Sequence, residues 1–184
     1  MRYPKEVVLK DGTEATIRPL EKDDEDRLKR FYLGIPERDR WYMKYDVTNP
    51  DVIRKWIDGI GSSMVFSTIA LCENKIMAHS SLHRRDYGST KHVGRLRIMV
   101  APEYQHRRLG TWMLVDTIQY AIDQGLERLR ADFVTGVENT AIEAAYKLDF
   151  FQEAVLRDYV KDQRGYRYDL LIMIKRLHKD WGDF

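Results

Sequence analysis

Cysteine is nearly absent from this sequence of 184 residues, which contains a single one, Cys72. One cysteine cannot form an intramolecular disulfide, so a secreted domain built on disulfides is excluded. No apolar run approaches the roughly 20 residues that a membrane-spanning helix needs. The first residues also lack the apolar segment of a signal peptide. We therefore expect a cytoplasmic protein with no membrane partner.

The sequence also lacks a surplus of charge of one sign. It has 31 basic and 29 acidic side chains, which gives a formal net charge of +2. This balance argues against nucleic acid as the main partner. Hydrophobic residues make up 43% of the chain and charged residues 33%, which is typical of a globular protein. The length, without repeats or a Pro/Gly/Ser-rich linker, predicts a single domain over residues 1–184.

The apolar patterns predict a mixed α/β (α+β) fold. An N-terminal hairpin is expected over residues 6–19, followed by two helices and by two strands joined at a tight turn. Residues 91–134 have the pattern of a strand, a helix and a strand, which predicts a parallel pair with a right-handed crossover. A helix from Asn139 to about Asp149 and a closing hairpin complete the chain. We expect a central sheet of about seven strands with helices on both faces.

The turn between residues 100 and 111 carries the main functional signal. Pro102 ends the strand, and the chain then enters a helix whose free N–H groups and partial positive charge suit a phosphate. Gly110 permits close approach of the backbone, and three basic side chains add charge: His106, Arg107 and Arg108. An ordinary strand-to-helix turn with solvated arginines would have the same spacing, so these residues alone leave both interpretations open.

The same turn resembles the Q/R-x-x-G-x-G/A motif of the GNAT acetyltransferases, since it reads Gln105-x-x-Arg108-x-Gly110-Thr111. The likeness extends over nearly the whole chain and points to the branch that includes the GNAT domains of bacterial protein lysine acetyltransferases. It implies the GNAT fold, with the pyrophosphate of acetyl-CoA at the turn and its pantetheine arm along the preceding strand. The cofactor-binding residues that it implies are Ile98, Met99, Val100, Gln105, His106, Arg107, Arg108, Leu109, Gly110, Thr111, Asn139 and Tyr146.

One position departs from the family motif, because Arg108 stands where the motif has its first glycine. If the backbone needs a positive φ there, arginine is strained by about 1 kcal/mol or more. If φ is negative, the change adds a charge that faces phosphate or solvent. The sequence leaves this choice open, and the retained Gly110 still predicts acetyl-CoA binding.

Acyl transfer to an amine needs a neutral nucleophile, a donor for the oxyanion and an acid for the leaving thiolate. The resemblance implies direct attack, with a backbone N–H near Val100 polarising the carbonyl and a tyrosine as the acid. Counting forward from Asn139 puts Tyr146 in the tyrosine position, whereas counting backward from residues 147–150 puts Ala145 there. We predict that Tyr146 is the catalytic acid, and a buried structural tyrosine is the alternative.

The general base has no clear place in the sequence. Many GNAT relatives carry a glutamate on the central strand, where this chain has Arg95 and Arg97 and no acid. Arginine repels an ammonium group and is no base at neutral pH. The substitutes are a water chain, His79, His83 or Glu138, and spacing favours none of them. The arginine pair instead suits an acidic group on the acceptor.

The remaining chemistry-bearing residues have simpler interpretations. His79 and His83 share one strand face, but no further ligands follow at the spacing of a metal site, so we expect no metal. Direct attack needs no cysteine nucleophile, so Cys72 is interpreted as core. Core packing is also favoured over an acceptor wall for a group of aromatic residues: Phe31, Tyr32, Trp41, Tyr42 and Tyr45.

Together these observations predict an N-acetyltransferase that moves an acetyl group from acetyl-CoA to a primary amine, either a small molecule or a protein lysine. We expect a monomer or homodimer. The alternative is a non-catalytic acyl-CoA-binding regulatory module that keeps the turn but has lost the base. A nucleotide-binding protein is less well supported, because the sequence has neither a Walker lysine pattern nor G-x-G-x-x-G.

Overall fold

The computed structural model describes residues 3–177 and contains one eight-stranded sheet, one strand more than expected. The strand order is β1-β2-β3-β4-β5-β6-β8-β7. The bounds are β1 Lys5–Val8, β2 Glu14–Pro19, β3 Val65–Cys72, β4 Lys75–His83, β5 Val93–Val100, β6 Arg128–Val134, β7 Phe151–Lys161 and β8 Arg167–Arg176. All neighbours pair antiparallel except β5 and β6, which are parallel. The predicted mixed sheet is therefore confirmed.

The helices of the described chain are α1 Glu25–Gly34, α2 Glu37–Arg40, α3 Pro50–Asp58, α4 Leu109–Asp123 and α5 Asn139–Tyr146. The Asn49 side chain accepts a hydrogen bond from the Asp51 N–H at 3.0 Å and caps α3, while Pro50 occupies the first helical position. The single turn α2 was not predicted, because its four residues are all charged and show no apolar face. Within residues 3–177, no helix combines the length and the apolar content needed to cross a bilayer.

Helices cover both faces of the sheet, as expected. On one face, α1 and α3 bury Leu28 and Ile53 against the sheet residue Ile76. On the other face, α4 buries Met113 against Met77. Ile76 and Met77 are neighbours on β4 and belong to different cores, because successive side chains of a strand point to opposite faces. The two cores fix β4 and its neighbour β5 between them.

The parallel strands β5 and β6 separate part of the way along the sheet. Their pairing runs only from Val93 opposite Arg128 to Arg95 opposite Arg130. Further along, β5 stays paired with β4 as far as Val100, and β6 stays paired with β8. A gap therefore opens beside the second half of β5, where no strand of the described chain pairs with that edge.

Candidate active site

The turn from β5 into α4 presents a row of free backbone donors. A short 3-10 turn spans Pro102–Tyr104 after β5, and α4 begins at Leu109. The N–H groups of residues 106–111 have no hydrogen-bond partner within residues 3–177. These donors lie at the positive end of a helix of 15 residues, which is an arrangement that binds anions.

Two residues of this turn have a left-handed backbone. The φ angle is 61° at His106 and 67° at Arg108. A residue with a Cβ is about 1–2 kcal/mol less stable in this region than in the right-handed one. The sequence left the sign of φ at Arg108 open, and the structure shows that it is positive. The Arg108 backbone is therefore strained, in a conformation that glycine adopts freely. Its side chain is exposed, so it also adds a positive charge at the start of α4.

Contacts with the loop between β1 and β2 hold the turn in place. The Lys10 N–H donates to the Arg107 carbonyl at 3.1 Å, and Arg107 Nη1 lies 2.5 Å from Asp11 Oδ2. The Arg107 guanidinium also lies 5.4 Å from the centre of the Tyr104 ring. Arg107 is thus engaged within the protein, whereas the side chains of His106 and Arg108 are exposed.

Gly110 lies in the first turn of α4. A Cβ added to Gly110 would lie 3.6 Å from Cγ2 of Val100, which is an ordinary contact. The packing of the protein therefore does not require glycine at this position. A cleft of about 320 Å³ adjoins the turn between α4 and the start of the chain, lined by Val8, Leu9, Lys10, Arg108, Thr111, Trp112 and Val115.

The free edge of β5 offers the backbone groups of alternate residues to the gap. The Ala101 N–H donates to the Met77 carbonyl at 2.9 Å. Because hydrogen-bonded positions alternate in an antiparallel pair, the backbone groups of Met99 bond to β4, and those of Ile98 and Val100 face the gap. The Gln105 side chain agrees with this assignment, since its Nε2 donates to the Val100 carbonyl at 3.2 Å.

Helix α5 carries the predicted acid. The Tyr146 side chain is 48% exposed and has no hydrogen-bond partner within residues 3–177, whereas Ala145 is 1% exposed and lies in the core. The alternative of a buried structural tyrosine is therefore wrong. The helix ends earlier than predicted, because the chain turns after Tyr146 and the Phe150 N–H donates to the Ala145 carbonyl at 3.1 Å. Asn139 Oδ1 accepts from the Gly136 N–H at 2.9 Å at the start of α5.

The face of β5 opposite α4 is strongly charged. Leu96 packs in the core beneath α4, so its neighbours Arg95 and Arg97 point to the other face. Arg95 forms an ion pair with Asp132 on β6, and the same carboxylate lies 2.6 Å from Nε of Arg130. The Asp132 carboxylate therefore forms ion pairs with both Arg95 and Arg130.

Arg97 is less completely paired. Its Nη2 lies 3.5 Å from Oε1 of Glu138, and its Nε is buried with no hydrogen-bond partner within the described residues. The second carboxylate oxygen of Glu138 accepts from the Val134 N–H at 2.7 Å. Glu138 immediately precedes α5, so this contact bridges the gap between β5 and the chain after β6.

His79 is enclosed beneath α1. Its side chain is 4% exposed, its Nδ1 lies 2.6 Å from the Tyr32 hydroxyl, and its ring stacks on Trp56. Burial lowers the pKa of His79 to about 4, so the ring is neutral at pH 7. This enclosure argues against His79 as the general base.

His83 lies on the same face of β4, opposite Arg95, as the sequence pattern predicted. Partial loss of solvent around the ring lowers the pKa of His83, and the charges of Lys44 and Arg95 lower it further. Unlike His79, the residue is exposed at the surface. Among residues 3–177, no three His, Cys, Asp or Glu side chains are grouped as metal ligands would be.

The aromatic residues divide between core and surface. Phe31 and Tyr32 are buried, as predicted, but Trp41 and Tyr45 are about half exposed, so the expectation of core packing is wrong for these two. Tyr42 packs edge-on against Tyr168, with ring centres 6.4 Å apart. The segment after α2 therefore contacts β7 and β8, since the Trp41 Nε1–H also donates to the Lys161 carbonyl at 2.8 Å.

Cys72 ends β3 and is only partly buried, with its side chain at the margin of the core beneath α4. The interpretation of Cys72 as a core-packing residue is therefore confirmed, with its side chain at the edge of that core.

A sequence model of the acetyltransferase (GNAT) family matches residues 26–150. No curated protein sequence matches the chain. Among solved structures, the GNAT domain of Streptomyces lividans PAT has a TM-score of 0.77 at 19% identity, covering 96% of this chain and 100% of that one. A GNAT-family acetyltransferase from Streptococcus pneumoniae gives 0.76 at 20%, covering 88% and 99%. A Salmonella typhimurium protein with its cofactor acetyl-CoA gives 0.72 at 18%, covering 91% and 96%.

Proposed function

The chain belongs to the acetyltransferase (GNAT) family, and on this premise we propose that it transfers an acetyl group from acetyl-CoA to a primary amine by direct attack. The free N–H groups of residues 106–111, next to the gap beside β5, are the observation that carries the proposal. The turn suits a pyrophosphate, and the gap has the free strand edge that an extended pantetheine arm requires. The Salmonella relative with acetyl-CoA supports the same ligand for this chain.

The protein groups around the gap have separate roles in this proposal. One backbone N–H on the open edge of β5, near Val100, donates to the thioester carbonyl oxygen as negative charge develops on it. The amine nitrogen forms a bond to the acyl carbon while the carbon–sulfur bond breaks. The exposed hydroxyl of Tyr146 donates its proton to the departing sulfur. Asn139 and the turn residues hold the ligand against α5 and α4.

A non-catalytic acyl-CoA-binding module is the second candidate. The observation that favours it is the charged face of β5, where Arg95 and Arg97 stand in place of an acidic base. Both candidates bind acetyl-CoA, so they differ in turnover alone.

Release of free CoA thiol in the presence of amines distinguishes the two candidates. We expect amine-dependent release from the unaltered protein. Tyr146→Phe should lower kcat by about 10²–10⁴-fold, because general acid catalysis typically contributes a factor of roughly that size. Its affinity for acetyl-CoA, measured by calorimetry, should change less than threefold. Equal turnover by Tyr146→Phe would place the acid elsewhere, and binding without turnover on any amine would favour the non-catalytic module.

A further inference from the structure

Arg97 is placed to meet the acceptor. It lies on β5 directly before Ile98, whose backbone faces the gap in which the acyl group is proposed to lie. Its side chain points to the face opposite α4, towards Glu138 and Tyr32. Burial raises the pKa of Tyr32, and the positive charge of Arg97 opposes that rise. An amine that approaches the gap from this face therefore passes Arg97.

Arg97 has hydrogen-bonding capacity that the protein does not use. A guanidinium carries five N–H donors, and the contact with Glu138 at 3.5 Å is at the upper limit of a hydrogen bond. The Nε donor is buried and has no partner within the described chain. Leaving such a donor unpaired is unfavourable, so a ligand oxygen that reaches it would be bound favourably.

The surrounding charges favour an anionic group at this point. Asp132 is shared by Arg95 and Arg130, so it does not neutralise both of them. Lys44 acts on the same face through its charge on His83, and it has no ion-pair partner in residues 3–177. Arg95, Arg97 and Arg130 thus outnumber Asp132 and Glu138, the two carboxylates paired with them, and the excess positive charge attracts a carboxylate while repelling a simple ammonium ion.

Building on the proposed N-acetyl transfer, we infer that the acceptor is a small amine that carries its own carboxylate, as an amino acid does. The carboxylate binds the Arg97 guanidinium through Nε and a terminal nitrogen, in the two-point geometry that arginine forms with carboxylates. The same contact displaces Glu138 from Arg97. Glu138 then accepts a proton from the substrate ammonium group, and the neutral amine attacks the acyl carbon.

The proton balance of this step is complete. The ammonium proton moves to the Glu138 carboxylate, the nitrogen–carbon bond forms as the carbon–sulfur bond breaks, and the thiolate takes a proton from Tyr146. The second proton of the attacking nitrogen leaves to water as the amide forms. Glu138 then releases the proton that it accepted to water, and Tyr146 recovers its own proton from water, so one proton is released for each acetyl group transferred. Arg97 stays protonated throughout, because its pKa is far above neutral.

Matched acceptors test this inference. We would measure kcat/KM for CoA release with amino acids of several side-chain classes, each paired with its own amide, which keeps the amine and removes the charge. A lysine peptide with blocked ends and no acidic residue completes the set. We expect the preferred amino acid to exceed its amide at least tenfold. An amide or the lysine peptide acetylated as well as every amino acid would overturn the inference.

Arg97→Gln separates the role of the carboxylate site from general damage. This variant should raise KM for the amino acid at least tenfold and abolish its advantage over the amide, with little effect on acetyl-CoA binding. Arg128→Gln is the matched control, since Arg128 is exposed and lies at the closed end of the β5–β6 pair. It should retain the preference. Retention of the preference by Arg97→Gln would contradict the assignment.

Glu138→Gln tests the proton acceptor, because glutamine keeps an oxygen for the Val134 N–H but cannot take a proton. It should lower kcat at least tenfold at pH 7 and make the rate rise with pH, with KM little changed. A purely structural Glu138 would leave the pH profile unaltered. If acetyl-CoA binds but no amine in the set is acetylated, the acceptor inference fails, while the binding part of the proposed function stands.

Discussion

Individual residues in the turn from β5 into α4 combine strain with charge. Arg108 has a φ of 67° and an exposed side chain beside six consecutive free N–H groups, from residue 106 to residue 111. The strained backbone of Arg108 lowers the stability of the protein, whereas its guanidinium adds positive charge that can raise the affinity for an anionic ligand. Substitutions that remove the Cβ and the charge separately can measure each contribution.

Arg108→Ala and Arg108→Gly form such a pair. Both remove the charge, and both should weaken acetyl-CoA binding by about 1–3 kcal/mol if Arg108 bonds the phosphate. Only glycine removes the Cβ, which relieves about 1–2 kcal/mol of strain but costs about 0.5–1 kcal/mol in chain entropy. Arg108→Gly should thus be up to about 1.5 kcal/mol more stable than Arg108→Ala in urea unfolding. A less stable glycine variant would contradict the left-handed assignment.

His79 makes the stability of the protein depend on pH. The unfolded chain protonates this imidazole below about pH 6.5, and the folded protein does so only below about 4. The unfolded state therefore binds more protons within this window, and stability falls as the pH is lowered through it. Between pH 7 and pH 5 the loss from His79 should be about 2 kcal/mol.

Urea unfolding at pH 7, 6 and 5 measures this loss, with His79→Asn as the comparison. The asparagine variant should be less stable at pH 7, since the contact with Tyr32 is altered, but its stability should change less with pH. Carboxylates contribute mainly below about pH 5 and so affect both proteins little in this range. Parallel curves for the two proteins would show that folding does not lower the pKa of His79.

At the scale of elements, strand β5 is the centre of the site. It pairs fully with β4, but it loses β6 after Arg95, so one edge is closed and the other is open. The same strand carries backbone donors along its open edge and arginines on its outer face. This division lets one strand contact both the acyl donor and the acceptor in the proposed reaction.

Amide hydrogen exchange by NMR can test the assignment of the two edges. Without ligand, the N–H groups of Arg97 and Met99 should be protected by β4, and those of Ile98 and Val100 should exchange faster. Saturating acetyl-CoA should slow exchange at Ile98 and Val100 at least tenfold, because their donors then have a partner. Protection at Arg97 and Met99 alone would contradict the proposed position of the ligand.

At the scale of the whole molecule, the proposed cofactor site joins α4, β5 and α5, which pack on one hydrophobic core. Because ligand binding to the folded state alone stabilises it, acetyl-CoA at 100 times its dissociation constant should add about 2.7 kcal/mol. For a chain of this size, that stabilisation corresponds to a rise of roughly 5–10 °C in the melting temperature.

Gly110→Ala is the matched variant for this measurement. A Cβ is accommodated at 3.6 Å from Val100, and alanine favours a helix over glycine, so the free variant should melt at the same temperature or higher. Its shift with acetyl-CoA should be smaller by several degrees, since the methyl group obstructs the approach of a phosphate. An undiminished shift would remove the turn from the proposed binding site.

The sequence by itself determined the elements and the turn. Alternating apolar residues such as Leu129 and Ala131 identify strands, and the helical spacing after Gly110 identifies α4, because both periods follow from local backbone geometry. The motif from Gln105 to Thr111 likewise lies in one continuous segment. These features depend only on residues that are close together in the sequence, so they can be recognised without knowing how the helices and strands pack together.

Only the tertiary structure decided the features that join distant segments. The φ of Arg108 depends on how β5 enters α4, and the exposure of Tyr146 depends on which side of α5 the sheet covers. The contact between Arg97 and Glu138 spans 41 positions of the chain. This contact is possible because β5 and β6 separate after Arg95, while β5 stays paired with β4 and β6 with β8. No local sequence pattern encodes where two paired strands separate.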